Sequence, residues 1–180
     1  MTHEIETKVL DIDADAVSDA LTALGAQKTQ DTRLIVDWYR TKGDKEGEEP
    51  WFLRIRSNSA GKHEVTWKAK SDIIGIARKH KEINFFIDEP EKLANLFEEL
   101  GLEVYAHQEK DRTSYTFKDW SFDIDRYPGM PPFLEIEGSS EEHIQEALVL
   151  LELGKNPTWA TGERILIQER YGLDWYGMKF

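Results

Sequence analysis

The sequence predicts an α+β fold in which about eight strands form an antiparallel, barrel-like sheet and four helices pack outside it. Strand-like segments with a period of two follow one another as hairpins rather than alternating with helices. Apolar residues make up 39% of the chain, and charged residues, at 32%, are spread rather than blocked, which excludes disorder. We expect the 180 residues, 1–180, to form a single domain.

Each element rests on a local pattern. Pro90 suits the first turn of a helix, Gly25 and Gly101 suit helix ends, and Ser139 with Glu142 has the spacing of a capping box. Strands are predicted at 3–10, 33–40, 51–57, 63–70, 78–87, 103–117, 120–126 and 133–138. Helices are predicted at 13–26, 90–100, 139–154 and 161–171, with a charged loop at 43–50, a turn at 58–61 and an aromatic tail at 175–180.

Composition excludes several classes of function. The chain has no cysteine, so neither a disulfide framework nor a thiolate metal site is possible. It also has no apolar run long enough for a membrane helix, and we expect a cytoplasmic protein without a membrane partner. A formal net charge of −12 disfavours nucleic acid as a partner, and small anions require the 23 basic residues to be concentrated in one place.

One face of the strands is ionic. Charged residues occupy alternate positions in strand after strand, and the positions between them are apolar, as in Leu53, Ile55 and Phe122. An ordinary solvated face explains any one such pair, but not consecutive in-phase pairs on six strands. The ionic positions are Glu4, Glu6, Lys8, Arg54, Arg56, Lys68, Lys70, Arg78, Glu82, Lys110, Arg112, Asp123, Asp125, Glu135 and Glu137.

If the sheet closes, these side chains share a lumen, where charges must be paired or bind ions. Arginine forks suit phosphate oxygens, and Mg²⁺ takes oxygen ligands from one or two carboxylates together with substrate phosphates. A lumen with both signs of charge can therefore hold a polyphosphate and hard divalent cations, the combination found in phosphoryl-transfer sites.

The motifs resemble those of the CYTH domain, or triphosphate tunnel metalloenzyme, family. EIETK at 4–8 is similar to the ExExK signature of that family, and later motifs follow in the family's order over residues 3–138. They are LRIR at 53–56, TWKAK at 66–70, Lys110-x-Arg112-x-x-Tyr115, Asp125 and FLEIE at 133–137. Three departures stand out: MPP at 130–132 where a glycine is usual, His80 in place of a strand carboxylate, and the additional acid Asp123.

The resemblance implies a closed or nearly closed eight-stranded antiparallel barrel around a triphosphate tunnel, with Mg²⁺ or Mn²⁺ as cofactor. It implies metal ligands at Glu4, Glu6, Glu82, Asp125, Glu135 and Glu137. It implies triphosphate binding by Arg54, Arg56, Lys68, Lys70, Arg78, Lys110 and Arg112. Catalytic roles fall to Lys8, Glu4 and Glu6, where Lys8 either orients the nucleophile, transfers a proton or is one more clamp. Internal salt bridges remain the alternative role for the carboxylates.

Three activities fit these residues. The family includes class IV adenylate cyclases, thiamine triphosphatases and inorganic triphosphatases. We favour metal-dependent hydrolysis of a triphosphate substrate, with cyclase activity on ATP as the alternative and a non-catalytic polyphosphate-binding module as the third. The oligomeric state is expected to be a monomer or a homodimer. The five histidines are expected at solvent-facing or strand-edge positions, the rings of residues 37–39 outside the lumen, and the aromatic tail against the barrel.

Overall fold

The computed structural model describes residues 2–45 and 48–180, with side chains described from Ile5 onward. The described strands are β1 (Thr2–Val9), β2 (Gln27–Thr41), β3 (Trp51–Asn58), β4 (His63–Ala69), β5 (Asp72–Ile74), β6 (Ala77–Ile87), β7 (Leu102–Phe117), β8 (Trp120–Arg126), β9 (Phe133–Gly138) and β10 (Thr158–Trp159). The described helices are α1 (Ala14–Ala23), α2 (Pro90–Glu99), α3 (Glu141–Leu150) and α4 (Glu163–Ile165). A π-helical turn (Leu166–Arg170) and a 3-10 turn (Trp175–Gly177) follow α4.

The strands form one sheet in the order β10-β1-β9-β8-β7-β2-β3-β4-β6-β5, and β1 also pairs with β6. That additional pairing closes a barrel of β1, β9, β8, β7, β2, β3, β4 and β6, in which all neighbouring strands are antiparallel. The short β5 and β10 add to β6 and β1. The predicted α+β fold with an eight-stranded antiparallel barrel is confirmed.

The register decides which side chains enter the barrel, because residues directly opposite each other on paired strands share a face. Glu6 lies opposite Glu137 on β9 and opposite Arg78 on β6. Arg54 lies opposite Trp38, and the pairs continue in phase around the barrel. Further pairs on the same face are Lys8 with Glu135, Lys68 with Glu82, Arg112 with Asp125, and Asp123 with Glu135. The alternating ionic residues therefore face one another inside the barrel.

Apolar side chains of the outer face pack under the helices. Phe122, Leu134 and Ile136 are fully buried, and they form one core with Leu21 of α1 and Ile144 of α3. A second outer core lies beneath α2 and includes Leu53, Ile55, Val65 and Phe97. Among the described residues, no helix is long and apolar enough to cross a membrane.

The C-terminal segment packs into the barrel rather than only around it. Leu166, Ile167 and Trp175 share a core with Val36 and Trp38 on the inner face of β2. The Gln108 side-chain amide donates to the carbonyl of Trp175 at 2.6 Å, and the Glu109 N–H donates to the carbonyl of Met178 at 2.8 Å. The predicted packing of the aromatic tail is thus confirmed, but the expectation that the rings of residues 37–39 all lie outside the lumen is wrong for Trp38.

Several boundaries differ from the prediction. β2 begins earlier than predicted, β5 and β10 are too short to show a period, and α3 ends at Leu150 because Glu152 adopts a left-handed backbone (φ 59°). The cap of α3 is Ser140, whose hydroxyl accepts from the His143 N–H at 3.1 Å, so the predicted cap at Ser139 is wrong by one residue. The expectation that the histidines are solvent-facing or at strand edges is wrong for His80, which is 4% exposed because its strand position points into the barrel.

Candidate active site

The barrel encloses a cavity of about 550 Å³, within the size range of small-molecule sites. Its lining includes basic residues of β3, β4, β6 and β7, acidic residues of β1, β6, β8 and β9, and aromatic residues at one end. The charged residues in contact with the cavity are Glu6, Arg54, Arg56, Lys68, Lys70, Arg78, Glu82, Arg112, Asp123, Glu135, Glu137, Glu163 and Arg164. The two signs of charge therefore meet across one space.

Arg54, Arg56 and Lys68 form what we call the basic wall. Arg56 donates to Glu64 at 2.5 Å, and Lys68 lies 2.5 Å from Glu82. Within the described part of the chain, the buried Nε of Arg54 has no hydrogen-bond partner. Burial and the neighbouring cations Arg54 and Arg112 lower the pKa of Arg56, although Glu64 opposes them. A wall whose cations repel one another is stabilised by an anion.

Glu6, Glu135 and Glu137 form the acidic wall on β1 and β9. Arg78 donates to Glu6 from Nε at 2.7 Å, and Lys8 lies 3.0 Å from Glu135 and 3.4 Å from Glu6. Burial and Glu6 act to raise the pKa of Glu135, but Lys8, Arg112 and Lys110 outweigh them and hold it below its ordinary 4.5. Glu135 is therefore ionised at neutral pH, and because Lys8 contacts its Oε2 and Arg112 its Oε1, a metal ion would share these oxygens with the two side chains.

A buried ionic bridge lies behind the cavity. Lys110, 1% exposed, places Nζ 2.8 Å from Asp125 and 2.8 Å from Glu163. Arg112 donates to both oxygens of Asp125, each at 2.6 Å, and also pairs with Asp123. Burial and Glu135 act to raise the pKa of Glu163, but Lys110, Lys8 and Arg112 together outweigh them and hold it below its ordinary 4.5. The bridge holds the head of Arg112 at the cavity surface.

The structure brings most of the predicted site residues into or directly behind the cavity. Arg54, Arg56, Lys68, Arg78, Arg112, Glu6, Glu82, Glu135 and Glu137 line it. Lys8, Lys110 and Asp125 are buried behind that lining, and Lys70 is exposed at its edge. Glu4 carries a predicted metal and catalytic role, and its side chain lies outside the described residues. His80 has its Nε2 3.2 Å from Glu82.

Sequence reasoning assigned no role to three residues at the site, Glu64, Asp123 and Glu163. Glu64 is in phase with Lys68 on β4, so the alternation that identified the other strands also marks it. Asp123 was noted without a role; it pairs with Arg112, and its pKa is raised by burial despite that arginine. Glu163 begins α4, after the last barrel strand, and accepts from the Tyr127 hydroxyl at 2.5 Å. No periodic pattern marks it, because its place in the barrel depends on the path of the C-terminal segment.

The described carboxylates do not form a preformed metal-binding cluster. Among the described residues, no group of three or more histidine, aspartate or glutamate side chains converges as metal ligands do. Instead, the described acids Glu6 and Glu135 are held by Arg78 and Lys8. The cavity can bind an anion on its basic wall and offers carboxylate oxygens opposite, and any cation enters by sharing those oxygens with the basic side chains.

The profile of the CYTH domain matches residues 2–155. A Methanocaldococcus jannaschii protein named as a candidate adenylate cyclase is 31% identical over 151 residues, which is 83% of this chain and 85% of that protein. The fold is similar to that of a Vibrio parahaemolyticus protein named as a candidate adenylate cyclase (TM-score 0.76, 14% identity, 92% of this chain and 98% of that one).

A protein from Hippeastrum has the same fold (TM-score 0.67, 17% identity, 96% of each chain). It is named as a candidate adenylyl cyclase and described as having a dominant triphosphatase activity. The two solved structures are too distant in sequence to indicate more than the fold. The domain profile over most of the chain and the relative at 31% identity show the family: the chain belongs to the CYTH domain family.

Proposed function

We propose that this protein uses a divalent cation to hydrolyse the triphosphate group of a small molecule, either inorganic triphosphate or an organic or nucleoside triphosphate. The observation that carries the proposal is a basic wall facing an acidic wall across one cavity. Phosphate oxygens are bound well by arginine and lysine, and carboxylates suit the hard cations that accompany polyphosphates. A dominant triphosphatase activity is described for the Hippeastrum protein, whose likeness to this chain is one of fold, so hydrolysis is a reaction that this fold can carry out.

The basic wall binds the phosphate oxygens. The buried Nε of Arg54 is one donor for them, and Arg56, whose pKa is lowered by burial and by the neighbouring cations Arg54 and Arg112, is stabilised by an anion beside it. Arg112, which lies outside the basic wall, offers a further cation that Asp125 holds in place. Phosphoryl transfer asks little covalent chemistry of a protein, so fixed positive charge on the developing phosphate charge accounts for most of the catalysis.

Lys8, Lys110 and Asp125 act as positioning residues in this proposal. All three are at most 1% exposed and already contact charged partners. Lys8 holds Glu135, and Lys110 with Asp125 holds Arg112 and Glu163. Asp125 was predicted as a metal ligand, but Lys110 and Arg112 take up both of its oxygens.

The residues present fit Mg²⁺ or Mn²⁺. Glu6 and Glu137 are directly opposed on β1 and β9, and Glu135 is one inward position away, so the available donors are all oxygens on one wall. Mg²⁺ is usually bound by one or two carboxylates together with substrate phosphates. Glu6, Glu135 and Glu137 would hold the ion, which would neutralise phosphate charge and activate the attacking water. Lys8 contacts Glu135 and Arg78 contacts Glu6, so these two carboxylates are held in place when the cation is absent.

The test is phosphate release from inorganic triphosphate and from ATP, with Mg²⁺, with Mn²⁺ and after EDTA treatment. Glu137→Gln and Arg56→Met should each abolish turnover and leave the thermal melting temperature close to that of the wild type. Matched controls on the outer face are Asp111→Asn and Arg33→Met, which pair with each other at 2.7 Å and should retain activity. Near-normal turnover by Glu137→Gln and Arg56→Met would overturn the proposal.

Adenylate cyclase activity is the second candidate. It is favoured by the name of the Methanocaldococcus jannaschii relative, which is 31% identical. In that reaction the 3′-hydroxyl of ATP attacks the α-phosphate and pyrophosphate leaves, whereas hydrolysis releases phosphate. Cyclic AMP quantified in the same ATP samples separates the two: cyclic AMP with pyrophosphate supports the cyclase, and phosphate without cyclic AMP supports the triphosphatase.

A further inference from the structure

Aromatic side chains line the cavity at the end next to Arg54. Trp38 and Trp175 have ring centroids 5.4 Å apart, and Tyr105 lies 6.2 Å from Trp175. Phe52 lies beside them, one inward position along β3 from Arg54. We call Trp38, Phe52, Tyr105 and Trp175 the aromatic wall. All four are in contact with the cavity, so this cluster is not only a packed core.

Two local features place these rings inside the barrel. The pairing of β2 with β7 shifts register where Trp38 is opposite Ala106 and Tyr39 is opposite Val104, so Tyr105 is the extra residue of a bulge. Bulges re-aim side chains next to functional sites, and here the bulge brings Tyr105 to the cavity. Trp175 arrives from the C-terminal segment, held by the hydrogen bond from Gln108 to its carbonyl.

A polar group in the aromatic wall lacks a partner. Trp175 is 3% exposed, and its Nε1 makes no hydrogen bond within the described part of the chain. A buried indole N–H usually finds an acceptor. The buried Nε of Arg54, whose guanidinium lies 5.3 Å from the Trp38 ring centroid, also lacks one there. A ligand with ring acceptors at this end of the cavity would satisfy Trp175, while a phosphate would satisfy Arg54.

The two walls are contiguous along β3. Arg56, Arg54 and Phe52 occupy successive inward positions, about 7 Å apart at the rise of a strand. A triphosphate on Arg54 and Arg56 therefore carries its organic group towards the aromatic wall. Arg54 at this end disfavours a positively charged ring and favours a neutral one that bears acceptors, whereas Arg164 is paired with Glu49 at 3.5 Å and adds little net charge.

We propose that the aromatic wall is a specificity subsite that stacks the neutral base of a nucleoside triphosphate, with Trp175 Nε1 donating to a ring acceptor. This inference rests on the proposed triphosphate site and names its substrate class. Stacking on aromatic side chains stabilises each base by enough to change affinity by roughly tenfold or more. Inorganic triphosphate, which shares every contact of the basic wall, gains nothing from the subsite.

Calorimetric titration of the EDTA-treated protein with ATP and, separately, inorganic triphosphate compares the two ligands without turnover. Tyr105→Leu should weaken ATP binding by about tenfold and leave inorganic triphosphate unchanged, and Trp175→Phe, which keeps a ring but removes the donor, should weaken ATP binding by about threefold. Trp67→Phe on the outer face is the matched control and should change neither affinity. Thermal melting of each variant checks that the fold is retained.

An unchanged ratio of ATP to inorganic triphosphate affinity in both Tyr105→Leu and Trp175→Phe would overturn the subsite. Tighter binding of thiamine triphosphate, which has a cationic ring, than of ATP would also overturn the subsite. Phosphate and cyclic AMP release are measured in parallel with Mg²⁺ restored. If the protein binds ATP through the aromatic wall but turns over neither ligand, the subsite is supported and the proposed hydrolysis is rejected. If it hydrolyses both ligands and the variants leave the ratio of their affinities unchanged, the hydrolysis is supported and the subsite is rejected.

Discussion

The buried bridge at Lys110 gives the most direct stability prediction. Lys110→Met keeps the length of the side chain but removes two charge-assisted hydrogen bonds of 2.8 Å, to Asp125 and Glu163. Hydrogen bonds to charged groups contribute about 1.5–3 kcal/mol each, and breaking a buried ion pair costs about 3–5 kcal/mol. We expect the free energy of unfolding to fall by about 4 kcal/mol, or roughly 8–16 °C in melting temperature.

The loss should depend on pH because Glu163 loses its main cation. In the wild type the pKa of Glu163 lies below 4.5, with Lys110 the largest lowering influence, so its stabilising contribution is present at neutral pH and disappears only as the pH falls through that lowered value. Without Lys110 we expect burial to raise this pKa above its value in the unfolded chain. The deficit of Lys110→Met should then shrink as the pH falls from about 7 to about 5.

Guanidinium unfolding followed by tryptophan fluorescence, at both pH values, measures these differences. Adding Glu163→Gln to Lys110→Met should recover about 1–2 kcal/mol, because Asp125 still has Arg112 as a partner. Lys92→Met removes an exposed ion pair with Glu89 and should leave the unfolding midpoint unchanged. A loss below about 1 kcal/mol for Lys110→Met, or one that does not vary with pH, would refute a buried ionic bridge at this position.

Three further predictions concern folding and packing. Ser140→Ala should lower the free energy of unfolding by about 1 kcal/mol through loss of the α3 cap, while Ser139→Ala should cost less in the same chemical denaturation assay; the reverse order would restore Ser139 as the cap. Phe122→Ala should cost about 3–5 kcal/mol because the ring is fully buried under α3, whereas Ile73→Ala, at an exposed position, should be nearly neutral in parallel melts. Gly75→Ala should lower the melting temperature measured by calorimetry, because Gly75 has a φ of 56°, which disfavours a side chain. The new Cβ would also meet the Glu141 carboxylate, which accepts from the Ile76 N–H. An unchanged melting temperature would show that the turn relaxes.

Much of the barrel can be predicted from the sequence because the side chains of a strand alternate between its two faces. Alternation alone separates Glu6, Arg54 and Glu135 from apolar neighbours such as Ile55 and Ile136, and the register confirms that these sets face opposite sides. Turn and cap residues bound the elements within a few positions, as with Pro90 at the start of α2. The motifs that resemble the CYTH family lie on these same strands, so family and barrel could be predicted together.

The sequence by itself determined that the chain builds an antiparallel sheet with one ionic face, since that pattern is local. Only the tertiary structure decided which ionic side chains line the cavity and which, like Lys110 and Asp125, form buried ion pairs behind it. It also brought Glu163 and Trp175 from the C-terminal segment to residues of β7 and β2 that are distant in sequence. The physical reason is that ion pairing and packing depend on closure of the barrel and on the path of the C-terminal segment. Neither the closure nor that path produces a periodic pattern in the sequence.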